Sequence, residues 1–420
     1  MTNKIKKDNS TSFVNNMSLP MHRWYRYSAG FHAEWVEQLI KEKTKDINEK
    51  FRIYDPFTGS GTVLLTSDKL GFESYGVDPH PFISRVVEAK LLWDTDFDLF
   101  VDYAGKVLNE SKKKKGFTEN YPELIKKCYP EDILYMLDAL KSVLEEKKDD
   151  SNEHKLTWLA FVSILRTCST AGTAQWQYIL PNKTKKLKNH PFETFEKKIN
   201  IMYEDMKFMQ SCSSKSKAKF FRQDCREQNS VPDKSIDLVI TSPPYANNYD
   251  YADATRLELT FLGEIEKWGD LQDYVRKYLM RSCTQHVSKL RKETFEIIKD
   301  DKLKCIYDEI FEVCKKLEGE REYRSGKKNY HTMIATYFLD IAKVWIDLRR
   351  VCKENSEVCF VIGDSAPYGV YVPVDEWMGK LALAAGFKEY KFDKTRDRNV
   401  KWDNRTHKKP LKEGRLWVKG

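Results

Sequence analysis

The sequence predicts an α/β fold, with a central β-sheet covered on both faces by helices. Short runs rich in β-branched and aromatic residues recur along the chain, and amphipathic helical patterns lie between them. Several of these runs are continuously apolar, as expected of strands that are buried on both faces. The predicted strands are Phe51–Tyr54, Ser74–Val77, Lys219–Arg222, Ile236–Ile240, Val358–Ile362, Phe387–Phe392 and Arg415–Lys419.

Helical periodicity links the strands, but two intervals are too long to be simple connections. Apolar residues at 3.6-residue spacing predict helices from Ile133 to Leu144 and from Phe338 to Leu348. About 130 residues follow Lys90 before the third strand, and about 70 follow Gly263, so both intervals are interpreted as helix-rich insertions. The predicted organisation is a first part of the core at 1–90, an insertion and candidate target-recognition segment at 91–217, core strands at 218–263, a second insertion at 264–330 and the C-terminal part of the core at 331–420.

Composition narrows the class of protein. A chain of 420 residues with 41% hydrophobic and 32% charged residues suits a soluble globular protein, and no apolar stretch reaches the ~20 residues of a membrane span. The first 16 residues lack the apolar core of a secretory signal, and the nine cysteines form no C-x-x-C pair. We therefore expect a cytoplasmic protein with reduced thiols, no membrane partner and no metal site.

The C-terminal end is strongly basic. The net charge is +9, and the segment 388–419 contains twelve lysines and arginines against five acidic residues. Such a concentration suits a polyanionic partner, although a solvated basic surface is an equally simple explanation.

A glycine-containing turn follows the first predicted strand. The segment 55–62 reads DPFTGSGT and runs directly into a helical pattern. The glycines allow a tight turn and close approach of a ligand, which is also found in structural turns and dinucleotide sites. The third glycine of the dinucleotide pattern is missing, because position 64 is Leu64. Asp55 repels a pyrophosphate but attracts an ammonium group, which favours a cationic, amino-acid-like cofactor.

Acidic residues also end the next two predicted strands. Asp78, followed by Pro79, lies about 20 residues after the turn, where a carboxylate accepts hydrogen bonds from ribose hydroxyls. Asp224, followed by Cys225, is placed to accept an adenine amino group. Each acid alone is more typical of a loop or a helix cap, but three acids at successive strand ends indicate a nucleoside site.

The fourth predicted strand ends in the tetrapeptide Ser242-Pro243-Pro244-Tyr245. Two prolines make this loop rigid and remove two backbone donors, so its carbonyl groups are available as acceptors. An exocyclic base amino group is a poor nucleophile, and accepting its hydrogens with Ser242 Oγ and the Pro243 carbonyl favours attack by the nitrogen. Tyr245 offers a flat face for stacking of an extruded base.

These motifs resemble those of the amino-methylating DNA methyltransferases that use S-adenosylmethionine. The resemblance covers the core, about half the chain, and neither insertion. It assigns cofactor binding to the turn, the strand-end residues and an N-terminal segment that closes over the methionine end of the cofactor. The cofactor residues so implied are Tyr25, Tyr27, Phe31, Asp55, Pro56, Phe57, Gly59, Gly61, Thr62, Asp78, Pro79, Asp224 and Cys225, and the catalytic residues are Ser242, Pro243, Pro244 and Tyr245.

The resemblance also implies a fold, a reaction and partners. The expected fold is a Rossmann-like, mostly parallel, seven-stranded methyltransferase sheet. The expected reaction is methyl transfer to cytosine N4 in double-stranded DNA with base flipping, and a cognate restriction endonuclease is a candidate partner in a bacterial restriction-modification system. We expect phosphate contacts from Arg396, Arg398, Lys401 and Arg405.

Four alternatives remain open at this stage. A leading Ser in the tetrapeptide favours cytosine N4, but members of the family also methylate adenine N6. An RNA amino-methyltransferase uses the same chemistry, and a catalytically inactive DNA-binding subunit shares the fold. A nicotinamide oxidoreductase shares the strand-glycine-helix opening but leaves the tetrapeptide unexplained.

Overall fold

A seven-stranded sheet forms the centre of the molecule. The computed structural model describes residues 13–27, 30–47, 50–174, 177–185, 189–213, 215–398 and 410–420. In chain order the strands are β1 (Arg52–Asp55), β2 (Glu73–Val77), β3 (Ala171–Thr173), β4 (Ile179–Thr184), β5 (Ala218–Phe221), β6 (Ile236–Thr241), β7 (Cys352–Gly363), β8 (Glu389–Arg398) and β9 (Leu411–Lys419). The sheet order is β5-β2-β1-β6-β7-β9-β8. Among the described strands of this sheet, β9 runs opposite to the rest and is antiparallel to both β7 and β8. Strands β3 and β4 form a separate hairpin. The predicted mostly parallel, Rossmann-like α/β fold is confirmed.

Helices surround the sheet and fill both long intervals. They are α1 (Ala33–Thr44), α2 (Thr62–Lys69), α3 (Pro81–Lys90), α4 (Phe97–Ser111), α5 (Glu123–Cys128), α6 (Glu131–Glu146), α7 (Asn152–Cys168), α8 (Pro191–Cys212), α9 (Arg256–Leu262), α10 (Leu271–Tyr274), α11 (Thr294–Ile298), α12 (Tyr307–Glu322), α13 (Tyr330–Val351) and α14 (Val374–Ala384). None of the helices in the described ranges has both the length and the apolar character needed to cross a membrane.

Successive side chains of β7 point to opposite faces of the sheet and show that both faces are covered. Val358 and Phe360 pack with α13 and α14 on one face, and the ring of Phe360 stacks on Trp345 of α13 with centroids 4.6 Å apart. Cys359 and Val361 point to the opposite face and join the core that includes α1. Because neighbouring side chains of a strand point to opposite faces, a continuous apolar run is needed to fill both cores.

The first insertion shares a core with elements of the central fold. Buried residues of α6, α7 and α8 pack in one cluster with Phe82 of α3 and Trp24 of the N-terminal segment. Within this insertion the β3–β4 hairpin packs next to the chain that follows β6, since the Tyr178 and Tyr249 rings lie with centroids 5.6 Å apart. The insertion is therefore an integral part of the fold.

The parallel strands place their carboxyl ends at one edge of the sheet. At this edge β1 ends at Asp55, β2 is followed by Asp78, and β6 is followed by Ser242. Ligands of open α/β sheets bind at this edge, so the predicted site residues lie where the fold offers a crevice.

Candidate functional site

The glycine turn requires glycine at two positions. Gly59 and Gly61 have φ values of 51° and 86°, in the left-handed region that residues with a Cβ rarely adopt. A Cβ at Gly59 would also lie 3.2 Å from Cε1 of Tyr27. The turn therefore brings backbone close to the N-terminal segment and begins α2 at Thr62.

Asp55 is fully buried beneath this turn. Its Oδ1 accepts hydrogen bonds from Thr241 Oγ1 at 2.6 Å and from the Phe57 backbone N–H at 3.0 Å. Its Oδ2 is buried and has no hydrogen-bond partner within the described ranges. Burial raises the pKa of this carboxyl to about 7. An unpartnered buried carboxylate oxygen fits a site for a cationic group.

Asp78 is tied to the turn by hydrogen bonds. Its Oδ2 accepts from the Gly59 N–H and its Oδ1 from the His80 N–H, each at 2.9 Å. Burial raises the pKa of Asp78 to about 6 despite these two bonds. Each oxygen retains a further lone pair, so the carboxylate can still accept hydroxyl groups.

Asp224 belongs to a larger ionic network. Both of its carboxylate oxygens accept from Arg226, which also donates to Asp340 at 3.0 Å and to the Tyr278 carbonyl at 3.0 Å. Arg281 pairs with the same Asp340. This network fastens the second insertion to the sheet edge next to Asp224.

One cavity is lined by both the cofactor turn and the tetrapeptide. The predicted residues on its wall are Tyr27, Phe31, Phe57, Gly59, Thr62, Asp78, Pro79, Asp224, Cys225, Ser242 and Pro244. Further wall residues were not predicted: Gly30, Thr58, Ser60, His80, Tyr251, Leu279 and Met280. Leu279 and Met280 come from the second insertion, for which sequence patterns gave no link to the cofactor turn.

Other predicted residues lie outside this cavity wall. They are Tyr25, Asp55, Pro56, Gly61, Pro243 and Tyr245. Tyr25 is buried, contacts the ring of Phe82 with centroids 5.8 Å apart, and donates to Glu258 at 3.1 Å. The N-terminal segment thus has one tyrosine in the core and another, Tyr27, at the cavity.

Two lysines hold the N-terminal segment, of which Lys90 is fully buried and Lys198 is half-buried. Lys90 Nζ donates to the carbonyls of Ser60 at 3.2 Å and His22 at 3.4 Å. Lys198 Nζ donates to the Arg23 and Trp24 carbonyls at 3.2 and 3.3 Å. Burial lowers the pKa of Lys90 to about 7 and that of Lys198 to about 8.

The hydrogen-bonding groups of the tetrapeptide differ in their partners. Ser242 Oγ donates to the Val361 carbonyl at 3.3 Å, which leaves its lone pairs available. The Pro244 carbonyl accepts from Tyr337 Oη at 2.9 Å, whereas no donor from the described residues contacts the Pro243 carbonyl. The Tyr245 ring is partly exposed, and the Arg398 guanidinium carbon lies 5.2 Å from its centroid.

The predicted phosphate-binding residues differ in their surroundings. Arg396 is 42% exposed and pairs with Glu413 at 2.8 Å. Arg398 is only 15% exposed, pairs with the same Glu413 at 3.4 Å and donates to the Asp364 carbonyl at 3.1 Å. Lys401 and Arg405 lie outside the described residues.

Known proteins with similar sequences were compared with this chain. The chain is similar to Type II methyltransferases. It is 28% identical to M.BsoBI of Geobacillus stearothermophilus and 26% identical to M.AvaI of Anabaena variabilis, in each case over 90% of this chain and 81% of the relative. It is 22% identical to M.MvaI of Kocuria varians over 59% of this chain and 58% of the relative. No protein-family model matches the chain.

The likeness to the Type II methyltransferases extends beyond the core motifs. A match over 90% of the chain leaves 42 of 420 residues outside it, and each predicted insertion is longer than that. The match therefore includes at least part of both insertions, although the sequence motifs alone had shown a resemblance only in the core.

Proposed function

We propose that this protein is an S-adenosylmethionine-dependent DNA methyltransferase that modifies the N4 amino group of cytosine in double-stranded DNA. The main observation is the single cavity whose wall includes Gly59 and Asp78 together with Ser242 and Pro244. Such a cavity brings a nucleoside-type cofactor next to acceptors suited to a base amino group. The similarity to Type II methyltransferases supports the same reaction class.

The cofactor-binding residues suit the chemical groups of S-adenosylmethionine. Asp78 accepts the ribose hydroxyls, and the unpartnered Oδ2 of Asp55 provides negative charge near the cationic methionine end. Tyr27 and Phe31 cover the cavity from the N-terminal segment, with Asp224 on the adenine side. When bound, S-adenosylmethionine supplies an electrophilic methyl group.

The tetrapeptide orients the amino group of the substrate. Ser242 Oγ and the Pro243 carbonyl accept its two hydrogens, so that the nitrogen lone pair is directed toward the methyl donor. The Tyr245 ring stacks on the base, which has to leave the duplex because a paired amino group cannot reach the cavity. The attacking atom belongs to the substrate, so the proposed reaction uses no cysteine nucleophile.

Cytosine is favoured over adenine by the leading Ser of the tetrapeptide, and adenine N6 is the second candidate. The proposal places phosphate contacts at the basic C-terminal end, including Arg396, Lys401 and Arg405, and sequence reading in the insertions. A cognate restriction endonuclease is a proposed partner of the same DNA site.

Analysis of the methylated product tests this proposal. The purified chain is incubated with S-adenosylmethionine and unmethylated phage DNA, and the digested nucleosides are identified by mass spectrometry. We expect N4-methylcytosine. N6-methyladenine as the sole product would replace the base assignment and keep the methyltransferase, whereas no transfer to DNA, together with calorimetric binding of NAD, would favour an oxidoreductase. Parallel reactions with RNA test the RNA alternative.

Variants of the tetrapeptide separate chemistry from cofactor binding. We expect Ser242→Ala and Tyr245→Ala to bind S-adenosylmethionine nearly normally in calorimetry but to lose at least about 100-fold in kcat, because both side chains act on the base. Tyr245→Phe is the matched control, since it keeps the stacking ring and should retain most of the activity. A fully active Tyr245→Ala enzyme would rule out the stacking role.

A further inference from the structure

We propose that Arg398 contacts the target base itself, donating hydrogen bonds to the O2 and N3 acceptors of an extruded cytosine and thereby selecting cytosine over adenine. This inference rests on the proposed methyl transfer to a base amino group. It adds the residue that distinguishes the base, and it replaces the phosphate contact expected of Arg398 from the sequence.

Arg398 is held in a fixed position at the end of β8. Its Nε lies 3.4 Å from Glu413 Oε2, and its Nη1 donates to the Asp364 carbonyl at 3.1 Å. The guanidinium also lies against the backbone of Gly363, where a Cβ would approach Nη1 to 2.6 Å. A side chain larger than hydrogen at position 363 would therefore displace the guanidinium.

The guanidinium faces a small cavity that adjoins the tetrapeptide. Its wall includes Ala246 and Asn247, directly after Tyr245, and Asp364 and Ser365, directly after β7, together with Arg398. Among the described residues, no acceptor bonds to Nη2 of Arg398. An Arg side chain has five N–H donors, and within the described ranges those on Nη2 are left to a ligand in this cavity.

The position of Arg398 next to Tyr245 connects this cavity to the base. The guanidinium lies over the ring on which the base is proposed to stack, with its carbon 5.2 Å from the ring centroid. Ser242 and Pro244 line the candidate cofactor cavity. In this proposal the base stacks beside the guanidinium on the same face, with its amino group toward Ser242 and the adjoining part of its hydrogen-bonding edge toward Arg398.

The two candidate bases differ in what they offer to a guanidinium. Cytosine carries two adjacent acceptors, N3 and O2, next to its amino group, which suit paired N–H donors. Adenine offers N1 beside its amino group, but the following position is a C–H. A site built to donate hydrogen bonds discriminates strongly against a substrate that leaves a buried donor unpaired.

Burial argues against a phosphate contact for Arg398. Its side chain is 15% exposed, compared with 42% for Arg396 on the same strand, and both pair with Glu413. A residue that binds DNA phosphates needs an accessible charge, which Arg396 provides. Arg396 is therefore the matched control for Arg398.

The experiment compares Arg398→Lys with Arg396→Lys in the full chain, because both substitutions keep the positive charge. Sequencing of methylated phage DNA first identifies the modified site. Each protein is then assayed on a duplex with that site and on the same duplex with an adenine-thymine pair in the target position. We expect Arg398→Lys to lose at least ten-fold in kcat on cytosine and at least ten-fold in the cytosine-to-adenine ratio. Its binding to duplexes that lack the site should stay within two-fold of wild type, and Arg396→Lys should leave the cytosine-to-adenine ratio within two-fold.

Two results for the variant would overturn the inference. One is a cytosine-to-adenine ratio within two-fold of wild type, and the other is an unchanged kcat with equally weakened binding to all DNA sequences, which is the behaviour of a phosphate contact. If circular dichroism shows that Arg398→Lys does not fold, wild type is assayed on a target base that keeps the amino group and ring nitrogen but has hydrogen in place of O2. A loss of less than two-fold then contradicts the inference, and a loss of ten-fold or more supports it.

The wild-type product separates this inference from the proposed function. N4-methylcytosine from wild type with an unchanged ratio in Arg398→Lys overturns the inference alone. N6-methyladenine as the sole wild-type product overturns the inference and the cytosine assignment but keeps the methyltransferase, whereas no transfer to DNA overturns both the inference and the proposed function.

Discussion

At the residue scale, the cofactor turn and Asp78 form a single unit. The Gly59 N–H donates to Asp78 Oδ2, and the left-handed φ of Gly59 directs this N–H toward the carboxylate. Position 59 also touches the Tyr27 ring, so it has no space for a branched side chain. A change at either residue alters the wall of the cofactor cavity.

We predict that Gly59→Val and Asp78→Ala each weaken S-adenosylmethionine binding at least ten-fold, or about 1.4 kcal/mol, in calorimetry. Valine strains the backbone at φ 51° and crowds Tyr27, and alanine removes the ribose acceptor. Gly71→Val is the control, because Gly71 has φ 76° but no neighbour within 4 Å of an added Cβ. Normal affinity in both site variants would exclude the cofactor assignment.

The burial of Lys90 predicts how the stability of the protein depends on pH. Its folded-state pKa is about 7, because burial disfavours the ammonium form, whereas its ordinary value is 10.5. Between these values the unfolded chain binds more protons than the folded protein, so the contribution of Lys90 to stability rises with pH. From pH 7 to pH 9 wild type should gain on the order of 2 kcal/mol in free energy of unfolding relative to Lys90→Met.

Urea unfolding at both pH values measures this difference. Lys113→Met controls for the loss of a lysine, since position 113 is exposed. The prediction would be contradicted if the free energy of unfolding of wild type, minus that of Lys90→Met, stayed constant or decreased with pH.

The predicted site residues that follow strand ends come together at one cavity, because a local pattern places them at one edge of the sheet. Asp78 and Ser242 each follow an apolar run, and parallel strands bring their carboxyl ends together. Leu279 and Met280 carry no such pattern, and their position depends on contacts that are distant in the chain. The pairing of Asp224 with Arg226 likewise depends on side-chain geometry, which spacing alone does not determine.

At the element scale, the segment around Leu279 and Met280 is anchored by ion pairs at the sheet edge. Arg281 Nε donates to Asp340 of α13 at 3.0 Å, and Arg276 Nη2 donates to Asp250 at 2.7 Å. All of these groups are buried or nearly so, which makes the pairs more resistant to screening than surface pairs. The second insertion thus contributes Leu279 and Met280 to the wall of the candidate cofactor cavity.

We predict that Arg281→Ala weakens S-adenosylmethionine binding by at least five-fold, or about 1 kcal/mol, because Leu279 and Met280 lose their anchor. Cofactor-free DNA binding should remain unchanged. The control is Lys299→Ala in the same insertion, whose pair with Glu296 is exposed. Calorimetry and fluorescence anisotropy give the two affinities, and a loss confined to DNA binding would contradict this assignment.

Periodicity predicted the regular elements well and missed one irregular element. All seven predicted strands of the sheet occur, with ends that differ by several residues, and the predicted helices correspond to α6 and α13. The hairpin of β3 and β4 was not predicted, because β3 has three residues and β4 contains Pro181 and three exposed positions. The hairpin therefore lacks the alternation that identifies a strand, and Tyr178 just before β4 contacts Tyr249, which is distant in the chain.

At the scale of the whole molecule, α2 joins two hydrophobic cores, one beneath the sheet and one in the first insertion. Val63 packs in the core beneath the sheet with α1, whereas Leu65, two residues later, packs with the helices of the first insertion. Loss of the insertion core therefore removes packing from α2, and α2 carries the cofactor turn at its N-terminus. We expect the insertions and the sheet to unfold together.

Two core substitutions test this coupling. Leu137→Ala in α6 and Val36→Ala in α1 create cavities in the two cores that α2 joins, because both side chains are fully buried. Leu137→Ala should lower the free energy of unfolding by about 3 kcal/mol and Val36→Ala by about 2 kcal/mol. Each should shift one common transition, with far-ultraviolet circular dichroism and tryptophan fluorescence coinciding in urea. Saturating S-adenosylmethionine should shift that transition in both variants. Two separated transitions, with Leu137→Ala affecting only the earlier one, would show instead that the first insertion unfolds independently of the sheet.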